Sequence, residues 1–165
     1  MLIYEDILRE FQKHKIQYMV IGGIAVNLHG ALRSTADLDI LLEMSEDNLK
    51  RFLAILKNNN YLSKQPVDFV QIADKKNRKY LVEKKNLKAV NFYKKKGFEE
   101  VDVIIDAAVT FKEAKKDIIW VRSGNLKMPL LSIDGLIKMK KRAGRNIDKL
   151  DIDALRRIKR LRESR

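Results

Sequence analysis

Two carboxylates one residue apart, in Asp37-Leu38-Asp39-Ile40-Leu41, are the side chains of this chain best suited to chemistry. In an extended strand successive side chains face opposite ways, so Asp37 and Asp39 share one face while Leu38 and Ile40 share the other. Carboxylates so placed repel each other unless a cation lies between them. Mg²⁺ suits that place, being a hard ion that takes oxygen ligands and substrate phosphates. Upstream stands Gly22-Gly23. Neither residue has a Cβ, so the backbone there can turn sharply and come close to a ligand. The helical run that follows, Ile24–His29, opens with N–H groups and a positive dipole end over that turn, which is a ready phosphate site. A phosphate cradle beside a metal-binding acidic pair points to nucleotide chemistry. A third acid, Asp102, stands between Val101 and Val103. A lone charge in such a run is costly to bury unless it is paired or bound to metal. Asp106, near the strand end on the same face, competes with it as third ligand.

These groups need a scaffold, and the hydrophobic pattern predicts an α+β one. Tyr18–Ile21 reads as a short buried strand and Asp37–Leu41 as a second. Ile7, Leu8 and Phe11 at helical spacing predict an opening helix over residues 3–14. Ser45 caps a helix to about Lys57, with Leu49, Phe52, Leu53 and Leu56 inward and Asn58–Asn60 ending it. Residues 67–84 read either as two short helical pieces broken near Asp74 or as strand. Lys88–Tyr93 and Phe98–Ile105 flank Lys94-Lys95-Lys96-Gly97 as a β-hairpin, with Gly97 expected to supply a positive φ. Phe111–Lys116 is expected to be a short helix, and Ile118–Val121 a strand at the sheet edge with Trp120 in the core. Met128–Leu131 leads into a helix capped by Ser132, running through Leu136, Ile137 and Met139 to about Arg142 and closed by Gly144. A last helix, Asp148–Arg162, carries Leu150, Ile152, Leu155, Ile158 and Leu161 as its apolar stripe. The fold class is therefore α+β: a mixed sheet of about 4–6 strands flanked by helices, with a helical C-terminal tail. One domain is expected, its core at about residues 1–122 and its tail at about 130–163.

Composition narrows the classes. The 165 residues are 45% apolar and 35% charged, which is globular rather than disordered. No apolar run approaches the roughly 20 residues needed to span a bilayer, and no charged-then-apolar leader opens the chain. Cysteine is absent, which excludes disulfides and thiolate metal sites. A cytoplasmic protein is the simplest expectation. The formal charge is +13, and residues 135–165 alone hold 12 Lys or Arg against 4 Asp or Glu. That balance fits an anionic partner, nucleic acid included, and equally a solvated lysine-rich surface. His14 and His29 are too isolated to suggest a metal site.

Taken together, these motifs resemble the nucleotidyltransferase superfamily, the polymerase-beta-like fold. Its signature is an apolar strand, Gly-Gly or Gly-Ser, about a dozen residues, Asp-x-Asp or Asp-x-Glu, and a later acid on a strand. Here thirteen residues separate Gly22-Gly23 from Asp37-Leu38-Asp39, and Asp102 matches the third acid. Pro129–Leu155 is similar to the tail of small stand-alone members, including those related to abortive-infection and toxin–antitoxin nucleotidyltransferases. The matching residues are Leu136, Lys138, Arg145, Asp148 and Asp151, the last three read as helix-terminus and tail-packing residues.

The resemblance implies an Mg²⁺-dependent transfer of NMP from an NTP, such as ATP, to a hydroxyl acceptor, with release of pyrophosphate. Asp37 and Asp39 would hold two Mg²⁺ ions, one of them shared with Asp102, which lies near the acceptor hydroxyl. Gly22, Gly23, Arg33 and Ser34 would meet the phosphates, and Lys138 and Arg142 would meet the triphosphate from the opposite wall. The acceptor is open: a small molecule, RNA or a protein. Two other readings stand beside this one. The first is a catalytically silent nucleotide- or RNA-binding module. The second is a toxin-type enzyme with an antitoxin partner, whose basic tail contacts tRNA or another RNA.

Overall fold

Seven strands form one mixed sheet in the order β3-β4-β5-β2-β1-β7-β6, in a computed structural model that describes residues 3–164. The strands are β1 (Tyr18–Val20), β2 (Leu38–Leu42), β3 (Tyr61–Ser63), β4 (Ala89–Lys94), β5 (Glu100–Ile104), β6 (Ile119–Ser123) and β7 (Leu126–Leu130). Two neighbouring pairs are parallel, β2 with β5 and β1 with β7, and the rest are antiparallel. Around the sheet lie α1 (Glu5–Lys13), α2 (Gly22–His29), α3 (Glu46–Asn58), α4 (Lys75–Lys85), α5 (Phe111–Ala114), α6 (Ile133–Ala143) and α7 (Asn146–Glu163). The mixed sheet, its flanking helices and the helical tail are those expected from the pattern, with more strands than the expected 4–6.

The extra strands were hidden for physical reasons. β3 is three residues long, too short to show a period, and β7 contains Pro129, which cannot donate to a ladder and argues against a strand. Residues 67–84 resolve as the helical pieces: a 3-10 turn at Phe69–Ala73, then α4, with Asp74 capping it through the Asn77 N–H at 2.8 Å.

The β4–β5 hairpin is present, but Gly97 is not among the positive-φ residues. Five residues connect Lys94 to Glu100, and a loop of that length turns without a left-handed residue. Trp120 is 57% exposed, because β6 is the edge strand and that side of it has none of the described residues packed on it. Leu150 and Leu161 are also exposed, while Ile152 and Leu155 are buried. The inward stripe of α7 instead runs through Asp148, Asp151, Ile152 and Leu155, at spacings of three, one and three. It therefore includes two acids.

The core fixes which face of the sheet is free for chemistry. In the β4–β5 pair Val90 lies opposite Val103 and Phe92 opposite Val101, and all four are buried. Phe92 meets Phe52 of α3 edge-on at 6.0 Å between centroids, and Phe52 in turn meets Phe11 of α1 at 5.2 Å. Strand alternation therefore turns the residues between them, Asn91 and Asp102, to the opposite face. No helix among the described residues is long and apolar enough to cross a membrane.

Candidate active site

The register of β2 and β5 puts Asp39 directly opposite Asp102, with Leu38 against Val101 and Ile40 against Val103 on the other face. β5 is an interior strand between β4 and β2, so Asp102 is not an edge residue. Asp37 precedes β2 by one residue, and its charge acts on both other acids. The aromatic hydroxyl of Tyr4 holds this end of the two strands together. It donates to the Ala36 carbonyl and accepts from the Glu100 N–H at 3.1 Å.

Asp39 is the most constrained of the three. Burial first, then repulsion from Asp102 and Asp37, pushes its carboxyl up to about 6, against the opposing pull of Arg145 and the Gly23 N–H. Burial likewise raises Asp102, helped by Asp37 and Glu100 and opposed by the Asn91 side chain and Lys64. Asp102 Oδ1 is buried with no hydrogen-bond partner among the described residues. A buried, unpartnered carboxylate oxygen beside a second crowded carboxylate is an arrangement that a divalent cation would relieve. Among the described residues no three His, Asp or Glu side chains form a ready-made metal cage. Mg²⁺ does not need one, since it keeps several waters and binds through one or two carboxylates and substrate phosphates. The donor set fits that ion.

The glycine pair is packed against these acids. Gly22 begins α2 with φ +63°, and a Cβ built there would stand 1.8 Å from Asp39 Oδ2. A Cβ on Gly23 would stand 2.4 Å from Thr35 Oγ1 and 3.1 Å from the guanidinium carbon of Arg33. The first turn of α2 thus carries Asp39 on one side and the 31–37 loop on the other. The Asn27 side chain braces that loop, donating to the Arg33 carbonyl and accepting from the Arg33 N–H, both at 2.9 Å. Gly22→Ala is expected to displace Asp39 and to cost about 1–3 kcal/mol in backbone strain alone. A melting curve with a parallel NTP titration checks this; wild-type nucleotide affinity in the variant would refute the tight packing.

From the other side comes a chain of charges that sequence reasoning read only in part. Arg33 Nη1 donates to Asp151 at 2.6 Å. Asp151 also accepts from Lys140 Nζ at 2.6 Å, and Lys140 lies 3.5 Å from Asp148. Burial works against the Asp148 carboxylate, but the Arg145 side chain and backbone N–H hold it below the ordinary value. Arg145 Nε donates to it at 2.9 Å, and the Arg145 charge also reaches Asp39. Lys140, Asp148 and Asp151 are all buried. Asp148 and Asp151 therefore pack the tail, as expected, and in doing so aim Arg33 and Arg145 toward Asp39 and the glycine turn.

The sequence-predicted residues divide accordingly. Gly22, Gly23, Arg33, Asp37, Asp39 and Asp102 come together, with Ser34 exposed on the loop beside them. Lys138 is exposed, with its charge acting on Glu113. Arg142 pairs with Asp106 at 2.6 Å, beyond the end of β5. Lys140, rather than Lys138, is the tail lysine that meets Asp148 and Asp151. One signal would have found it: Lys140 falls on the apolar stripe of α6 with Ile133 and Leu136, where a charge must have buried partners. His29 is buried in α2 with Nε2 on the Leu131 carbonyl at 2.8 Å, a packed histidine joining α2 to the start of α6.

Comparison with known proteins bears on this geometry. Residues 3–149 match the model of a family described as nucleotidyltransferase of unknown function (DUF6036). A search of curated proteins by sequence gives no match. Among solved structures, the fold is similar to that of the lincosamide antibiotic adenylyltransferase LnuA in its lincomycin-bound form, with a TM-score of 0.62. The two are 15% identical, and the match covers 93% of this chain and 94% of that one.

Proposed function

The chain belongs to that family of nucleotidyltransferases, and from this membership we propose that it transfers NMP from an NTP to a hydroxyl acceptor with release of pyrophosphate. One observation carries the reading: Asp39 and Asp102 face each other across parallel strands, with the glycine turn packed on the first and an unpartnered oxygen on the second. Asp37, Asp39 and Asp102 would hold Mg²⁺, which when bound neutralises charge on the phosphates and on the attacking oxygen. Gly22, Gly23 and the start of α2 offer backbone donors to the triphosphate. Arg33 beside the turn, and Arg145 whose charge reaches Asp39, would be the cations for charge that grows on the leaving group. Lys138 and Arg142, on α6 ahead of Arg145, would be second-rank phosphate contacts. Asp102 would accept the proton of the acceptor hydroxyl. The likeness to an antibiotic adenylyltransferase supports the fold.

The first test is titration of the purified protein with each NTP, with and without Mg²⁺, on wild type and on Asp37→Ala/Asp39→Ala. Metal-dependent binding to the wild type that the double substitution abolishes is the expected result, and it identifies the nucleotide for an acceptor screen. Binding indifferent to both aspartates would refute the assignment. Because a ligating carboxylate must be ionised, metal affinity is also expected to weaken as pH falls through about 6, the value to which Asp39 is pushed. Isothermal titration at pH 5 and pH 7.5 measures it.

A further inference from the structure

Asp102 has a neighbour whose orientation is set from outside the site. Asn91 lies opposite Asp102 in the antiparallel β4–β5 pair, so the two side chains share a face. An asparagine amide can present either its oxygen or its NH₂ with almost no change of shape. Against a carboxylate the two edges differ sharply, since the NH₂ attracts it and the oxygen repels it. Gln65 decides between them. Its Nε2 donates to Asn91 Oδ1 at 2.5 Å, and its Oε1 accepts from the Asn91 N–H at 2.8 Å. The preceding residue adds a third tie, the Lys64 N–H donating to the Asn91 carbonyl at 2.8 Å. With Oδ1 engaged by Gln65, the NH₂ edge is the one left for Asp102. The Asn91 side chain accordingly favours the ionised carboxylate. Asp102 Oδ1, by contrast, is buried and has no partner among the described residues.

We propose that Gln65 and Asn91 form a positioning relay for Asp102, Gln65 setting the polarity of the Asn91 amide and Asn91 holding the carboxylate so that its free oxygen faces the cation and the acceptor. The relay rests on the nucleotidyl-transfer reading above. Neither residue touches a reacting atom. Gln65 sits on the segment after β3, away from every motif that marks the site in the sequence.

The test is a Mn²⁺ titration followed by electron paramagnetic resonance, in the presence of a non-hydrolysable ATP analogue. It compares wild type, Asp102→Ala, Gln65→Leu and Asn91→Ser. The wild type is expected to take up two ions, and Asp102→Ala to lose the weaker one. Gln65→Leu and Asn91→Ser are expected to weaken that same ion about tenfold, the scale for residues standing behind metal ligands. Affinity for the first ion should stay at the wild-type value in Gln65→Leu, a split that a merely structural role would not produce. Wild-type affinity for both ions in Gln65→Leu and Asn91→Ser would overturn the relay and leave the nucleotidyl-transfer reading standing. If Asp102→Ala also binds both ions normally, Asp102 is not a ligand and both readings fall.

Discussion

Asp39→Asn is expected to be more stable than the parent at neutral pH without divalent cation, and to lose transfer activity by at least about 10²–10³-fold, the cost of removing one preorganised electrostatic group. The gain in stability follows from burial. Folding raises the Asp39 carboxyl from 3.8 to about 6, so the native state binds this proton more tightly than the unfolded chain does. Its ionised form is therefore penalised only in the folded protein. The penalty is absent below the unfolded value, grows as pH rises between the two, and is complete above about 6. A shift of this size corresponds to about 3 kcal/mol. For a chain of this length that is about 6–12 °C in melting temperature.

Calorimetry in EDTA at pH 7.5 and pH 3.5 checks the claim: the variant should melt higher at the first pH and with the parent at the second. Mg²⁺ with NTP should then raise the parent and not the variant, since only the parent binds them. Equal melting temperatures at pH 7.5 would show that Asp39 is not held in a destabilising position. A residue whose removal stabilises the fold while abolishing activity is kept for function.

Lys140→Met is expected to act in the opposite direction, destabilising the protein by about 3–5 kcal/mol, the usual cost of removing one partner from a buried ion pair. Lys140 is 4% exposed and stands between Asp148 and Asp151, at 1% and 4%. Without it Asp151 keeps only Arg33 and Asp148 only Arg145, and the buried side of the cluster loses its shared cation. The double substitution Lys140→Met/Asp151→Leu should recover at least half of the loss, because replacing a buried pair by apolar groups costs far less than breaking it. Activity should not recover with it, since Arg33 then has no carboxylate to hold it beside Gly23. Chemical denaturation of the three proteins separates these cases. A single substitution costing under about 1 kcal/mol would place the cluster among exposed ion pairs instead.

The sequence alone determined what depends on neighbours along the chain. Strand alternation already placed Asp37 and Asp39 on one face, a glycine pair marked the sharp turn before α2, and Ser45 and Ser132 announced their helices as caps. It also carried the motif order that led to the right superfamily and the carboxylate that meets Asp39. Only the tertiary structure decided what depends on register and on surroundings. Asp102 rather than Asp106 lies opposite Asp39 because the β2–β5 pairing falls where it does. Lys140 rather than Lys138 meets Asp148 and Asp151 because α6 turns that face toward α7. Gln65 reaches Asn91 only through the β3–β4 pairing, across 26 positions of chain. Trp120, Leu150 and Leu161 face outward, left exposed by the way the described residues pack, although their apolar character is that of core residues. A period in the sequence reveals that a residue has a face. Which face is buried, and against what charge, is fixed when distant segments meet.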